Sequence, residues 1–301
     1  MTGAGTTRSK EELADELKNF EEITVAINPT PDKIPQLKGV DIHGEMMPLK
    51  SAIGGDHILY VDFNRRYDLD ARIAEAEAQE RTAVADKLRL NKRRAGILVA
   101  DIAGHRVTDA VIAAMLHQCF LLGALYELDM FGEITTRLFE QLNTRFFKTA
   151  SVNKYFTMIY GEISEEGRFR FISAAHQPPV VFSREYQKIM PIRRDMIVTF
   201  PPVGMLPSVD DRDPGKDNVL GYKKRYTVNE LHLLGPGDLM LLCTDGLADH
   251  DEGRFLAGEL EGCLRETASA PSKMICAALR ERIGRWGPPT DDISFVVIKK
   301  N

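Results

Sequence analysis

The chain has 301 residues, 44% hydrophobic and 28% charged, the balance of a globular protein able to bury a sizeable core. Its formal net charge of −5 gives no electrostatic case for binding nucleic acid or an anionic membrane, and leaves only a local basic patch open. Length alone fits one large domain or two small ones.

Residues 1–8 read as disordered. Ser9-Lys-Glu-Glu12 has the form of a capping box, and a short helix to about Glu22 follows. Pro29, Pro31 and Pro35 mark a linker. The expected organisation is therefore residues 1–35 as helix and linker, then residues 36–301 as one domain. No early stretch resembles a signal peptide, and no apolar run is read as approaching the ~18 residues that span a bilayer. Cys119, Cys243, Cys263 and Cys276 sit in apolar sequence without a Cys-x-x-Cys spacing, so they read as buried free thiols in a reducing cytoplasm.

Beyond Met46 the chain alternates between strand and helix patterns. Strands are predicted at 57–63, 96–101, 155–163, 168–175, 178–182, 238–245 and 293–299. Ser164-Glu-Glu-Gly167 joins two of them as a short hairpin loop, which implies antiparallel pairing. Residues 69–94 read as one long helix with Leu69, Ile73, Ala76, Val84 and Leu88 on one face. Its acidic first half and basic second half match the helix dipole, and it reads either as a solvated surface helix or as an inserted arm for regulation or homodimer formation. A helix capped by Thr108 or Asp109 is apolar around most of its circumference and is expected to be deeply buried. Ile134, Leu138, Leu142 and Phe146 stripe a second helix, and two more fit 254–268 and 271–285. Strands flank helix pairs without regular β-α alternation. The expected fold class is α+β, antiparallel sheets covered by helices.

Aspartates recur at strand ends. One strand ends on Asp101, another on Asp245; Asp56 follows Gly54-Gly55 ahead of a third, and Asp291-Asp292 precede the last. In an antiparallel sheet the end of one strand lies beside the start of its neighbour, so Asp56, Asp101, Asp245 and Asp291 can gather on one edge. Clustered carboxylates repel unless a cation intervenes, and hard oxygen ligands suit Mg²⁺ or Mn²⁺. Two such ions about 4 Å apart can share a water and lower its pKa. Each feature alone has a plainer reading as turn chemistry or strand initiation; four in one chain favour the metal.

The ordered set "IGGDHILYVDF", "ILVADIAGHRVTDAVIAAML", "FTMIYGEI", "FISAAHQPPVVF", "VGML", "LLCTDGLADH" and "DDISFVVI" resembles the PPM superfamily of metal-dependent serine/threonine phosphatases, in the SpoIIE/RsbU bacterial branch, over about residues 40–300. The resemblance implies a β-sandwich flanked by helices, two Mn²⁺ or Mg²⁺ ions and hydrolysis of phosphoserine or phosphothreonine in a protein. It implies Asp56 and Asp101 as ligands of both ions, the Ile102 carbonyl on one, and Asp245 and Asp291 completing one site. It also implies a phosphorylated regulatory partner of the anti-sigma-factor-antagonist type. This chain departs from the pattern at Leu59, Arg106 and Ala175, where the family has Asp, Gly and Gly. Arg106 reads either as a surface arginine or as a contact to the substrate phosphate. His105 reads as a surface or core histidine, or as the proton donor to the leaving oxygen. A noncatalytic interaction protein with this fold, and a hydrolase of small phosphate esters, are the competing functions.

Overall fold

A computed structural model describes residues 10–49, 54–103, 107–149, 154–211 and 220–301. Its centre is two five-stranded sheets, and every strand pairing in them is antiparallel. The first runs β1 (Val40–Met47), β10 (Ile293–Lys300), β9 (Leu239–Cys243), β6 (Val180–Ser183), β7 (Lys188–Met190). The second runs β2 (Asp56–Asp62), β3 (Arg94–Ile102), β4 (Phe156–Ser164), β5 (Arg168–Ala174), β8 (Asn229–His232). Side chains alternate across each strand with period two. Ile58, Tyr60, Ile97, Val99, Ile159, Met240, Leu242, Val296 and Ile298 therefore share one inter-sheet core.

Each outer sheet face is closed by helices. Leu59, Val61, Leu98, Ala100, Met158 and Tyr160 pack beneath α3 (Leu69–Ala78), α4 (Thr82–Asn91), α5 (Val107–Phe131) and α6 (Thr136–Thr149). Leu239, Leu241, Phe295 and Val297 pack beneath α8 (Leu260–Thr267) and α9 (Ser272–Trp286). The α-β-β-α layering is the α+β sandwich expected from the sequence. Burying both faces explains why β2, β9 and β10 read as near-continuous apolar runs.

Three local expectations are corrected. Residues 69–94 are two helices and the start of β3, not one helix. The chain reverses at Gln79-Glu80-Arg81, with Glu80 at φ 57° and the Arg81 N–H bonded to Ala76 O at 2.8 Å. A straight 26-residue helix would be about 39 Å long and could not keep both apolar stretches on the domain. Folded back, Leu69, Ile73, Ala76, Ala85 and Leu88 are all buried. Acidic α3 then pairs with the end of α4 and the residue that caps it, through Glu77–Arg89 and Asp70–Lys92, so the charge asymmetry serves pairing across the hairpin. The hairpin is docked on the end of α5: Arg81 donates to Asp129 O and Met130 O, and Asn91 to Gly132 O at 2.8 Å.

The second correction is to α5 itself. Its inner side buries Ala110, Ala113, Leu116, Phe120, Ala124 and Leu128, but Val111, Met115, Leu122, Tyr126 and Met130 are exposed. One sheet face can cover only one side of a helix. By length and composition Thr108–Phe131 is also apolar enough to cross a bilayer, which the sequence reading had not recognised. The third concerns its start. The helix begins at Val107, so Asp109 lies in its first turn, fully buried, with its carboxylate taking a hydrogen bond from Lys154 Nζ at 2.6 Å. All four cysteines are free as expected, though Cys119 is exposed. At the N-terminus, α1 (Lys10–Val25) continues past Glu22, and Ser9 lies outside the described residues.

Candidate active site

The inter-sheet core ends, at one rim of the sandwich, in carboxylates. Asp56 opens β2 and is the register partner of Asp101 on β3. Both continue the period-two faces of Ile58 and Val99 and so lie on the inter-sheet side of their strands. Asp56 is 5% exposed.

The first sheet supplies the facing wall. Thr244, fully buried just past β9, receives the Ser294 N–H on its Oγ1 at 3.0 Å and donates that hydroxyl to Asp56 Oδ2 at 2.8 Å. Asp245 opens the short helix α7 (Asp245–Ala248). Asp291 and Asp292 lead into β10, which carries them beside the end of β9 because those two strands pair antiparallel. The Asp292 carboxylate accepts the Gly55 N–H on Oδ2 at 2.7 Å and the Leu49 N–H on Oδ1 at 2.7 Å. Its own N–H donates to Asp291 Oδ1 at 2.8 Å.

Electrostatics show how close these groups are. Burial first, then the Asp245 charge and hydrogen bond, then Asp291 and Asp292, push the Asp101 carboxyl up to about 8. Burial, and next the Asp101 charge, hold Asp56 well above the carboxylate range. Burial also raises Asp245, its hydrogen bond with Asp101 pulls the other way, and Asp291 and Asp249 add repulsion. Asp101 and Asp245 are hydrogen-bonded to each other, and carboxylates in such contact raise one another's pKa unless a cation intervenes. Among the described residues no three carboxylate, histidine or cysteine side chains form a closed cage. The donor chemistry still fits a hard divalent cation: oxygen only, several carboxylates, and an electrostatic cost that positive charge removes.

The structure brings Asp56, Asp101, Asp245 and Asp291 to one rim. Ile102 lies beside them, fully buried, its N–H 3.3 Å from Gly55 O. His105 and Arg106 lie outside the described residues. The departures have local explanations. Leu59 is buried on the helix-facing side of β2, so that position does not face the rim. Asp62 sits at the opposite end of the same strand, where it accepts the Arg65 and Gln36 N–H groups as a cap and tether. Ala175 stands at φ 52°, the left-handed region in which glycine is unstrained.

Around the rim, Thr244 and His176 were not singled out from the sequence, and Asp292 was named there only as the neighbour of Asp291. His176 is buried, hydrogen-bonded through Nδ1 to Thr157 Oγ1 at 2.9 Å, and Thr157 is the register partner of Asp101. Burial lowers its imidazole to about 3, so it is neutral. The available signal was the period-two face: Thr244 and Asp292 fall in phase with Leu242 and Val296. His57, next to Asp56 in sequence, points instead to the helix side, where its Nε2 meets His117 Nδ1 at 3.0 Å.

The comparisons with known proteins bear on the fold and the family. No curated protein matches the chain in sequence. Among solved structures, the SiaA-PP2C domain of Pseudomonas aeruginosa is 15% identical over 97% of this chain and 98% of that one, with a TM-score of 0.65. The RsbU and RsbW domains of Rv1364c from Mycobacterium tuberculosis are 19% identical over 89% of this chain, with a TM-score of 0.61, and this chain spans 61% of that longer one. RsbX, in a complex with magnesium, is 12% identical over 88% of this chain and 98% of its own, with a TM-score of 0.51. At these identities the likeness shows the fold, that of a PP2C-type phosphatase domain. The family model described as Stage II sporulation protein E (SpoIIE) matches residues 91–301, which include Asp101, Asp245 and Asp291. A match over more than two-thirds of its length, on a sandwich whose rim carries these aspartates, means that the chain belongs to the SpoIIE family.

Proposed function

We propose that residues 36–301 form a metal-dependent phosphatase that hydrolyses phosphoserine or phosphothreonine in a regulatory protein. The observation that carries this reading is the rim itself: Asp56 and Asp101 paired across one sheet, with Asp245 and Asp291 brought to them by the other. Asp56 and Asp101 would hold two Mn²⁺ or Mg²⁺ ions, the Ile102 carbonyl one of them, and Asp245 and Asp291 would complete one site. When bound, the ions supply positive charge to the phosphoryl oxygens and a water of lowered pKa for in-line attack, so no phosphoenzyme is required. The chain's own part is placement. Thr244 fixes one Asp56 oxygen. Cations held there would offset the mutual repulsion that raises the Asp101 and Asp245 carboxyls. Arg106 would meet the phosphate of the substrate, and His105 would protonate the leaving serine or threonine oxygen.

Family membership supports a phosphorylated protein of the anti-sigma-factor-antagonist type as substrate, and the free thiols support a reducing cytoplasm. The noncatalytic reading is favoured by one observation, the absence of a closed ligand cage among the described residues. Manganese-dependent release of phosphate from p-nitrophenyl phosphate, abolished by Asp245→Asn, is the expected result. Equal turnover by that variant would remove the metal assignment, and no turnover by the wild type with manganese and a phosphopeptide would favour the interaction protein. Faster turnover of free phosphate esters than of phosphopeptides would favour a small-molecule hydrolase.

A further inference from the structure

We infer that Asp292 is not a cation ligand but the positioning residue that joins the two sheets at the rim. The inference rests on reading that rim as a divalent-cation site. Four observations converge on this residue, two on its carboxylate and two that include its backbone. It is 5% exposed, while its neighbour Asp291 is open to solvent. Both of its carboxylate oxygens are already engaged by backbone N–H groups, Oδ2 by Gly55 and Oδ1 by Leu49, each at 2.7 Å. Its own N–H orients the Asp291 carboxylate at 2.8 Å. Its surroundings are too tight for side chains: a Cβ on Gly54 would lie 2.4 Å from Asp292 Oδ2, and one on Gly246 would lie 1.9 Å from Asp292 O.

One residue therefore touches the segments that carry three of the four rim aspartates. It reaches Asp56 through Gly55, Asp245 through Gly246, and Asp291 through its own amide. Gly54 and Gly246 are explained as the room Asp292 needs, its carboxylate beside the first and its backbone carbonyl beside the second. An ionised carboxylate suits this task because it accepts two charge-assisted hydrogen bonds and presents no donor. Asparagine at this position offers a single oxygen and turns an NH₂ group toward one of the two backbone donors.

The test uses the full chain with Asp292→Asn, Asp292→Ala and Asp291→Asn. In metal-free protein, amide exchange at Gly55 should accelerate on the order of tenfold or more in Asp292→Ala, with Asp292→Asn between it and wild type. Calorimetric titration with Mn²⁺ should show the number of ions unchanged in both Asp292 variants and the affinity about 10–100-fold weaker, as for residues that orient ligands. Asp291→Asn should instead lose an ion while leaving Gly55 exchange as it was. Loss of an ion in Asp292→Asn would make Asp292 a ligand and overturn the inference, as would unchanged Gly55 exchange in Asp292→Ala. If the wild type takes up no Mn²⁺, the phosphatase reading falls, and Gly55 exchange still decides whether Asp292 is the brace.

Discussion

Asp101→Asn should make the metal-free protein more stable while removing its response to metal. In the folded chain the Asp101 carboxyl is pushed up to about 8, from the ordinary carboxylate value of 3.8, by burial and by Asp245, Asp291 and Asp292. The folded state therefore holds a proton that the unfolded state releases, and stability falls as pH rises between about 4 and 8. At pH 7 the cost of keeping that proton is about 4 kcal/mol, from the distance between pH 7 and the unfolded pKa at 1.36 kcal/mol per unit. Asp245 is coupled to Asp101, so removing one of the two acids should return part of this, on the order of 2 kcal/mol. Asparagine keeps a donor toward Asp245 and carries no charge. Urea denaturation in EDTA at pH 7 should show this gain, with the melting temperature about 4 °C higher. Near pH 4 the difference should vanish. With Mn²⁺ at about a hundred times its dissociation constant, wild type should gain about 2.7 kcal/mol and Asp101→Asn far less, which inverts the order. An Asp101→Asn protein less stable than wild type in EDTA, or a difference that does not change between pH 4 and 8, would refute the electrostatic account of the rim.

Three further outcomes are expected. Ala175→Gly should stabilise the protein by about 0.5–1 kcal/mol in denaturant melts, because the left-handed cost to alanine exceeds the entropy cost of glycine. His176 is neutral in the fold, with its imidazole lowered to about 3 by burial, so it contributes stability above its unfolded pKa that is lost as pH falls from about 6.5 toward 3. Wild type should therefore lose about 1 kcal/mol more than His176→Gln between pH 6 and pH 5, and parallel curves would show that His176 is protonated in the fold. Lys223, 2% exposed, places Nζ 2.9 and 3.1 Å from the two Glu140 carboxylate oxygens and 3.6 Å from the centre of the Tyr226 ring. Lys223→Met should cost about 3–5 kcal/mol by leaving Glu140 charged and unpaired, and adding Glu140→Gln should recover part of it.

The central strands were legible in the sequence because each is buried on both faces, and such strands are apolar runs bounded by Gly, Asp and Pro. Strands β1, β7 and β8 were not found. β1 reads Val-Asp-Ile-His-Gly-Glu-Met-Met, with only Val40 and Ile42 fully inside, and it is a strand because β10 pairs with it. β7 and β8 have three and four residues, too few for a period. The hairpin α3–α4 was misread as one helix because its periodicity persists across the turn; where a helix folds back depends on the surface waiting for it. The rim was legible in part. Strand-end aspartates could be picked out one by one, and antiparallel pairing predicted that they would meet. The family resemblance picked Asp291 over Asp292, but nothing in the pattern of two identical residues in succession said what the second one does. Only the tertiary structure decides that one faces solvent beside Asp245 while the other reaches Gly55, 237 positions earlier in the chain. A side chain's chemistry is local, but whether its oxygens are free for an ion or already held by amides depends on what the other sheet brings to it.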